Sequence, residues 1–278
     1  MVLQEYKPSP ALSAYIRTFR LVQYEYKVDG SLPVKAYPPR PEHCLSFYAR
    51  DVEQVEYDYS RVKTGNMRTV LFGQQTEVSN RLVGNVFLLI QVVFKPGALF
   101  RLTGIPSGEL TNQYIDAETV FSTNIKFVND QINDCATYVQ MIGVVEQFLL
   151  GELARKAIRP VHALDCALGT LFGNDAVPGV DWLAGRSCLS VRQFERAFNE
   201  RMGVSPKFYL KVLRFENAFR LRNKYPNADW LSIALQCGFY DYQHLAKDYK
   251  TLTGYGPNAF HQIDLSGPER LFGEADTY

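Results

Sequence analysis

The chain has 278 residues, of which 46% are hydrophobic and 21% charged, and a formal net charge of +1. That length suits two ordinary domains or one large one, the composition is that of a globular protein, and so small a net charge does not by itself suggest nucleic acid. Five cysteines (Cys44, Cys135, Cys166, Cys188, Cys237) stand far apart without a CxxC, and His43, His162, His244 and His261 do not cluster in the sequence; this argues against a zinc site and predicts reduced, mostly buried thiols.

The first ten residues, MVLQEYKPSP, lack a basic stretch followed by an apolar run, so they are not read as a signal peptide. Strand candidates follow at Leu45–Arg50, Val55–Tyr59, Thr69–Gly73 and Asn85–Lys95, the last far too short to cross a bilayer. Pro38–Pro41 (PPRP) and Lys95–Gly97 (KPG) read as breakers or turns. Several short strands close in sequence suggest a small barrel or sandwich. After Ile125 the pattern turns helical: Val128, Ile132, Val139, Ile142, Val145, Leu149 and Leu153 form one amphipathic stripe. The stripe suits a helix covering the β domain, a dimer interface, or both. Beyond Pro160, itself placed at a helix start, the chain reads as all-helical. Gly173–Gly179 reads as a loop and Asp264–Tyr278 as a loosely docked end.

The helical part contains a repeat. Ala184 and Leu189 match Ala234 and Phe239 at an offset of 50; after one inserted residue, Tyr240, Ser190, Phe194, Arg196, Phe198, Gly203 and Pro206 match Asp241, Leu245, Lys247, Tyr249, Gly254 and Pro257 at 51, with Phe194 paired to Leu245 and Phe198 to Tyr249. Each copy has a small alanine for close helix approach, a tight turn, a capping residue and an amphipathic second helix. Ser190 with Gln193 makes a capping box. This is helix-turn-helix construction, twice. Pro206–Arg222 between the copies reads as one linker helix of 17 residues, roughly 25 Å long, so the two second helices could lie near one DNA turn, about 34 Å, apart.

Between Arg186 and Lys224 ten basic residues face three acids, a net +7, leaving −6 for the rest of the chain. A basic block in a neutral protein is the footprint of a phosphate-binding surface. Candidate base contacts are Arg192, Glu195, Arg196 and Asn199 in the first copy, and Tyr242, Gln243, His244 and Lys247 in the second. Arginine pairs bidentately with guanine and glutamate accepts from cytosine N4. Ser190, Lys207, Lys211, Arg214 and Lys250 are candidate phosphate contacts.

Gly203-Val-Ser-Pro206, the linker helix and the run Ser232–Phe260 (SIALQCGFYDYQHLAKDYKTLTGYGPNAF) resemble the DNA-binding region of AraC/XylS-type transcriptional regulators. The resemblance covers roughly residues 160–260 and implies a seven-helix domain with base contacts on the second helix of each motif. Cys188 stands where that family often has glycine. Phe72–Thr76 (FGQQT) and Phe94–Asp116 resemble a poorly characterised N-terminal domain carried by many such regulators; related sensor domains are cupin-like β barrels that bind effectors and dimerise.

The expected fold class is therefore α+β: a cupin-like β barrel with flanking helices over 1–124, a helical dimerisation or linker segment over 125–155, an all-α DNA-binding domain with two helix-turn-helix motifs over 156–262, and a tail over 263–278. The expected function is a cytoplasmic, sequence-specific transcription regulator with double-stranded DNA, a small-molecule effector, RNA polymerase and a second copy of the chain as partners, and no membrane. Tyr37, Arg40, His43, Gln74 and Gln75, near strand ends, are candidate effector-pocket or rim residues. A ligand-independent architectural DNA binder is the alternative, favoured if aromatic side chains fill the barrel. A cupin-type enzyme fused to a DNA-binding module is weaker: His43 is the only histidine in the barrel region, where metal-dependent cupins need several ligands, and there is no GxSxG, Walker loop or GxGxxG. No cofactor, metal or catalytic residue is expected.

Overall fold

The computed structural model describes residues 2–25, 35–57, 64–172 and 177–265. Nine strands are present among them: β1 (Val2–Tyr6), β2 (Ile16–Glu25), β3 (Lys35–Tyr37), β4 (Cys44–Tyr48), β5 (Glu53–Tyr57), β6 (Thr69–Phe72), β7 (Ser79–Val83), β8 (Val86–Phe94) and β9 (Tyr114–Asp116). They make two antiparallel sheets, ordered β1-β2-β8-β4-β6-β9 and β3-β7-β5. β8 pairs with β2 on one side and β4 on the other. Its nearly continuous run of β-branched and aromatic residues reflects burial of both faces. Leu88, Ile90, Val92 and Phe94 enter one apolar core, and Phe87, Leu89 and Val93 enter a second.

The expected closed barrel is not formed among the described residues. The large sheet ends at β1 and β9, the small one at β3 and β5, and no ladder joins them. Closure requires every edge to find a partner at a consistent stagger, and three-residue edge strands such as β3 and β9 offer little ladder. The second core is filled by rings: Tyr24 stacks on Phe87 at 5.1 Å, Phe72 stacks on Tyr114 at 4.8 Å, and Tyr48 lies 5.9 Å from Phe87.

Behind the large sheet lie α1 (Ala98–Thr103), α2 (Val128–Asn133) and α3 (Tyr138–Arg155). The apolar stripe of 128–153 is split between two helices. Thr137 caps α3 in a capping box with Gln140, and the break at 134–137 shifts the helical phase. Val128, Ile132, Ile142, Val145 and Leu149 are buried against the sheet, whereas Val139, at the new N-terminus, is 71% exposed.

The C-terminal part holds seven helices among the described residues: α4 (Ala163–Leu168), α5 (Val180–Arg186), α6 (Val191–Met202), α7 (Pro206–Lys224), α8 (Trp230–Gln236), α9 (Tyr242–Thr253) and α10 (Pro257–Leu265). The first helix begins beyond Pro160, at a cap formed by His162, whose Nδ1 accepts from the Leu164 N–H while Asp165 accepts from the His162 N–H. Of the 173–179 loop, residues 173–176 lie outside the described residues, as do 266–278 of the tail. Asp264 and Leu265 belong to α10, and Asp264 is buried. None of the five cysteines is in a disulfide; Cys44 and Cys237 are buried, Cys135 is half-buried, and Cys166 and Cys188 are exposed, so the thiols are less buried than expected. No helix among the described residues is long and apolar enough to cross a membrane.

Candidate nucleic-acid interface

The two copies of the repeat fold alike because each carries the same local chemistry. In α5 and α8 the alanines Ala184 and Ala234 are buried, and their carbonyls accept from Leu189 N (3.0 Å) and Phe239 N (2.9 Å), closing the same turn twice. The turn needs a residue of positive φ: Gly238 has φ +78° and Cys188 has φ +53°. A side chain in that left-handed region costs about 1–2 kcal/mol, so the first turn is strained where the second is not. Gly238→Ala, where a Cβ meets nothing within 4 Å, isolates this cost. It should destabilise the second motif by about 1 kcal/mol, read as a lower melting temperature of the helical signal.

Each second helix starts at a cap. The Ser190 and Gln193 side chains reciprocate across the first turn of α6, and Asp241 accepts from the His244 N–H at 2.8 Å at the start of α9. Hydrogen bonds from the His244 backbone and then its side chain hold the Asp241 carboxyl below its usual range. Phe194, Phe198 and Met202 bury one face of α6, and Leu245, Tyr249 and Leu252 the matching face of α9. At about 1.5–3 kcal/mol per fully buried apolar side chain, these anchors fix which face turns outward. Both helices end at glycines in the left-handed region, Gly203 and Gly254.

α7 joins the copies as one shaft of 19 residues, about 28 Å long. Its Tyr209, Leu210 and Leu213 pack into the core of the first motif, while Val212, Phe215, Ala218 and Phe219 pack into that of the second; Phe208 touches both. The orientation of one motif relative to the other is thereby carried by a single helix.

Comparison with known proteins fits this architecture. A family model described as a helix-turn-helix domain matches residues 183–263, and one described as a domain of unknown function, DUF6597, matches residues 4–116. Residues 183–263 are an AraC-type helix-turn-helix domain. The chain is similar in fold to an apo lysine-to-alanine variant of ToxT from Vibrio cholerae, at 10% identity, covering 88% of this chain and 97% of that one with a TM-score of 0.51. It also matches the DNA-binding domain of AdpA in complex with a target DNA (23% identity, 38% of this chain, 96% of that one, TM-score 0.35). A transcriptional regulator with an AraC-type DNA-binding domain from Chromobacterium violaceum matches at 28% identity over 38% of this chain and 95% of that one, with a TM-score of 0.33. No curated protein sequence matches the chain. An AraC-type domain behind an antiparallel sheet domain makes this protein a DNA-binding transcription regulator.

Within the AraC-type domain, Arg192, Glu195, Arg196 and Asn199 lie exposed on α6, and Gln243, His244 and Lys247 on α9. Tyr242 is half-buried against the core of the second motif. Tyr240 is 84% exposed, with its ring 5.8 Å from that of His244; sequence reasoning noted it only as an insertion, and that insertion in the second copy was the signal of an extra side chain beside α9. Of the candidate phosphate contacts, Ser190, Lys207 and Lys250 are exposed. Lys211 and Arg214 are half-buried, each 3.9 Å from Asp248 of α9. Burial pushes the Asp248 carboxyl up, against the opposing pull of those two cations.

Half of the basic block is engaged inside the protein. Besides Lys211 and Arg214, Arg201 pairs with Asp165 at 3.2 Å, Arg220 with Glu216 at 3.1 Å, and Arg222 donates to the Ala228 carbonyl over the Trp230 ring. Arg186, Arg192, Arg196, Lys207 and Lys224 remain exposed, so the outward field is smaller than the sequence count of +7 suggests.

The candidate effector residues are in contact with other protein groups, and Gln74 touches both Arg40 and Gln75. Gln74 donates to the Arg40 carbonyl and Gln75 to that of Gly73, with the Tyr57 hydroxyl on the Gln75 side chain. Tyr37 packs under the Arg81 guanidinium. His43 is buried, and its Nε2 stands 3.2 Å from the Met202 carbonyl of α6. Burial lowers its pKa to about 4, so at neutral pH it is uncharged and can donate its one N–H to that carbonyl. Among the described residues, a groove of about 990 Å³ runs along α2 and α3, lined by Phe127, Gln131, Gln140, Val144 and Phe148, and a cleft of about 410 Å³ lies on the seam between the domains, lined by Glu5, Lys7, Arg17, Phe172, Asn217 and Arg220.

Proposed function

We propose that this regulator reads duplex DNA sequence-specifically with both motifs, α6 and α9 entering two successive major grooves on one face. The observation that carries this reading is the matched pair of capped helices, each with its polar face outward, mounted on the single shaft α7. Arg192, Glu195, Arg196 and Asn199 read one half-site, and Gln243, His244 and Lys247 the other, with Tyr242 at the margin. Lys207, Lys250 and Ser190 hold phosphates, and Lys211 and Arg214, half-buried beside Asp248, take a smaller share. The proposed division of the chain is 1–124, 125–155, 156–262 and 263–278. Residues 1–124 supply regulation, and the apolar groove along α2 and α3 supplies the contact to a second copy, with exposed Phe127 and Val139 beside it. Such a dimer brings four motifs to one operator, acts on RNA polymerase and works in the cytoplasm. An effector, where one acts, is a small molecule in the seam cleft lined by Glu5, Lys7, Arg17 and Arg220; it controls the protein only by binding one arrangement of the domains better than another.

A second reading is favoured by one observation. The space between the sheets is filled by Tyr24, Tyr48, Phe72, Phe87 and Tyr114, which suits an N-terminal domain that assembles the protein without sensing a ligand.

Selection from a random duplex library tests the reading. Two short motifs about one helical turn apart support it; no enrichment by the full chain or by residues 156–278 sinks it. Arg196→Ala should then cost about 1–3 kcal/mol at one base pair of the selected site and relax the preference there. An equal loss on all sequences would make Arg196 a phosphate contact instead. Lys207→Ala should weaken binding evenly and reduce the salt slope by about 1.

A further inference from the structure

The C-terminal end of α6 is held by the N-terminal domain through three consecutive carbonyls. The Ser107 hydroxyl donates to the Arg201 carbonyl at 2.6 Å, His43 Nε2 lies 3.2 Å from the Met202 carbonyl, and the Thr111 hydroxyl donates to the Gly203 carbonyl at 2.9 Å. The other acceptor within reach of Thr111, the Ser107 carbonyl, is farther away at 3.3 Å. The last carbonyls of a helix have no partner within it and are ordinarily met by water or by a local C-cap. Here Gly203 N–H closes on Asn199, and the next carbonyls reach side chains 92 to 159 residues away in the chain.

The approach is close enough to exclude a side chain. A Cβ on Gly203, whose φ is +76°, would lie 2.4 Å from the Thr111 hydroxyl and 2.5 Å from the Ser107 carbonyl oxygen. Arg201 adds a second layer, its guanidinium over the Phe100 ring of α1 and its Nε on Asp165 of α4. Segment 41–43 ties the same place to the interior: the Pro41 carbonyl accepts from Tyr209 of α7 at 3.2 Å, Glu42 pairs with Arg17 and Arg20, and His43 reaches α6. α9, in contrast, is anchored within its own motif, Tyr249 lying 4.6 Å from the Phe215 ring and 6.2 Å from that of Phe260.

We infer that Ser107, Thr111 and His43 are positioning residues for DNA reading: they fix the rotation of α6 about its axis, so that the N-terminal domain sets what the first motif reads while the second motif is positioned by α7 alone. A recognition side chain must be held to within about 0.5 Å and 10–20° of its productive geometry, and three bonds to one helix end restrict both rotation and slide. The inference rests on the proposed reading of DNA by both motifs.

The test uses the full chain and a selected site whose halves are assigned by Arg196→Ala and Lys247→Ala. Thr111→Val keeps shape and removes the donor; Ser107→Ala does the same at the neighbouring carbonyl; Thr111→Ser restores the hydroxyl. In the Val and Ala variants, discrimination against base changes in the α6 half-site should fall about five- to tenfold, as expected for loss of one hydrogen bond or two. Discrimination in the α9 half-site should hold, Thr111→Ser should match the wild type, and amide exchange should quicken across residues 199–204. Equal losses at both half-sites, no change at either, or failure of Thr111→Ser to restore the α6 half-site overturns the inference. A variant that does not fold is replaced by the other, and the outcome is read from it alone. If the wild-type chain selects no DNA, the proposed function falls and this inference with it; if it selects a bipartite site and the variants leave it untouched, only this inference falls.

Discussion

Glu42→Ala is expected to destabilise the N-terminal domain by about 3–5 kcal/mol, because it removes the buried carboxylate shared by Arg20 and Arg17 and leaves buried Arg20 beside the more exposed Glu5, at 3.6 Å. Glu42 is buried, accepts from Arg20 at 3.1 Å and 3.2 Å, and pairs also with Arg17. Arg20 is itself buried in β2 and reaches Gln91 of β8, which in turn donates to Ser46 of β4 at 3.3 Å, so the ion pair is part of a polar chain across the large sheet. Burial pushes the Glu42 carboxyl up, but the charges of Arg20, Arg17 and Arg40 outweigh it and hold the carboxyl well below its usual range. A carboxyl depressed in the folded state stabilises it fully above the unfolded pKa, about 4.3 for Glu, and loses that contribution as pH falls through the folded value. The wild type should therefore lose stability on acidification below about pH 4, and Glu42→Ala should show less of that dependence. Thermal melts of both proteins from neutral to acid pH measure it; a Glu42→Ala melt within a degree of the wild type at neutral pH would falsify the account. Because Pro41 and His43 flank this residue and touch α7 and α6, the variant should also loosen the seam.

Phe215→Ala is the second large expectation, at about 3–5 kcal/mol for a fully buried ring. Phe215 lies at the centre of the second motif's core, with Phe219 at 6.3 Å, Tyr249 at 4.6 Å and Phe260 at 6.1 Å. Neighbouring rings cannot collapse into the void while α7 holds the backbone, so most of the cavity cost remains. The first motif has a separate core around Phe194, Phe198 and Tyr209. Hydrogen exchange should accordingly show protection lost over residues 228–265 and kept over 183–204, with discrimination lost at the α9 half-site only. Uniform loss of protection across both motifs would mean that α7 couples them into one folding unit.

The helix-turn-helix repeat was legible because its determinants are local. Ala184 and Ala234, the caps Ser190 and Asp241, and the anchors Phe194 and Leu245 act within one or two helical turns, and the structure uses each for the role its chemistry suggests. The strands over β4, β5, β6 and β8 were legible as β-branched and aromatic runs. β2, the longest strand, was not: Arg17 and Arg20 interrupt its apolar pattern, and distant partners, above all the buried carboxylate of Glu42, 22 residues beyond Arg20, make a charged residue acceptable there. Val139 shows the same limit on the helical side. It belongs to a continuous stripe in the sequence, yet a short break with its own cap turns it to solvent.

By itself the amino-acid sequence determined the two capped second helices of the repeat, the linker between them and the faces they present, since period, cap and turn chemistry involve neighbours along the chain. Only the tertiary structure decided that the sheets stay open, that Asp165 and Asp248 engage cations the sequence left free, and that Ser107, Thr111 and His43 hold one end of α6. Those outcomes depend on which distant groups meet once the chain has closed its loops, and no local pattern encodes such a meeting.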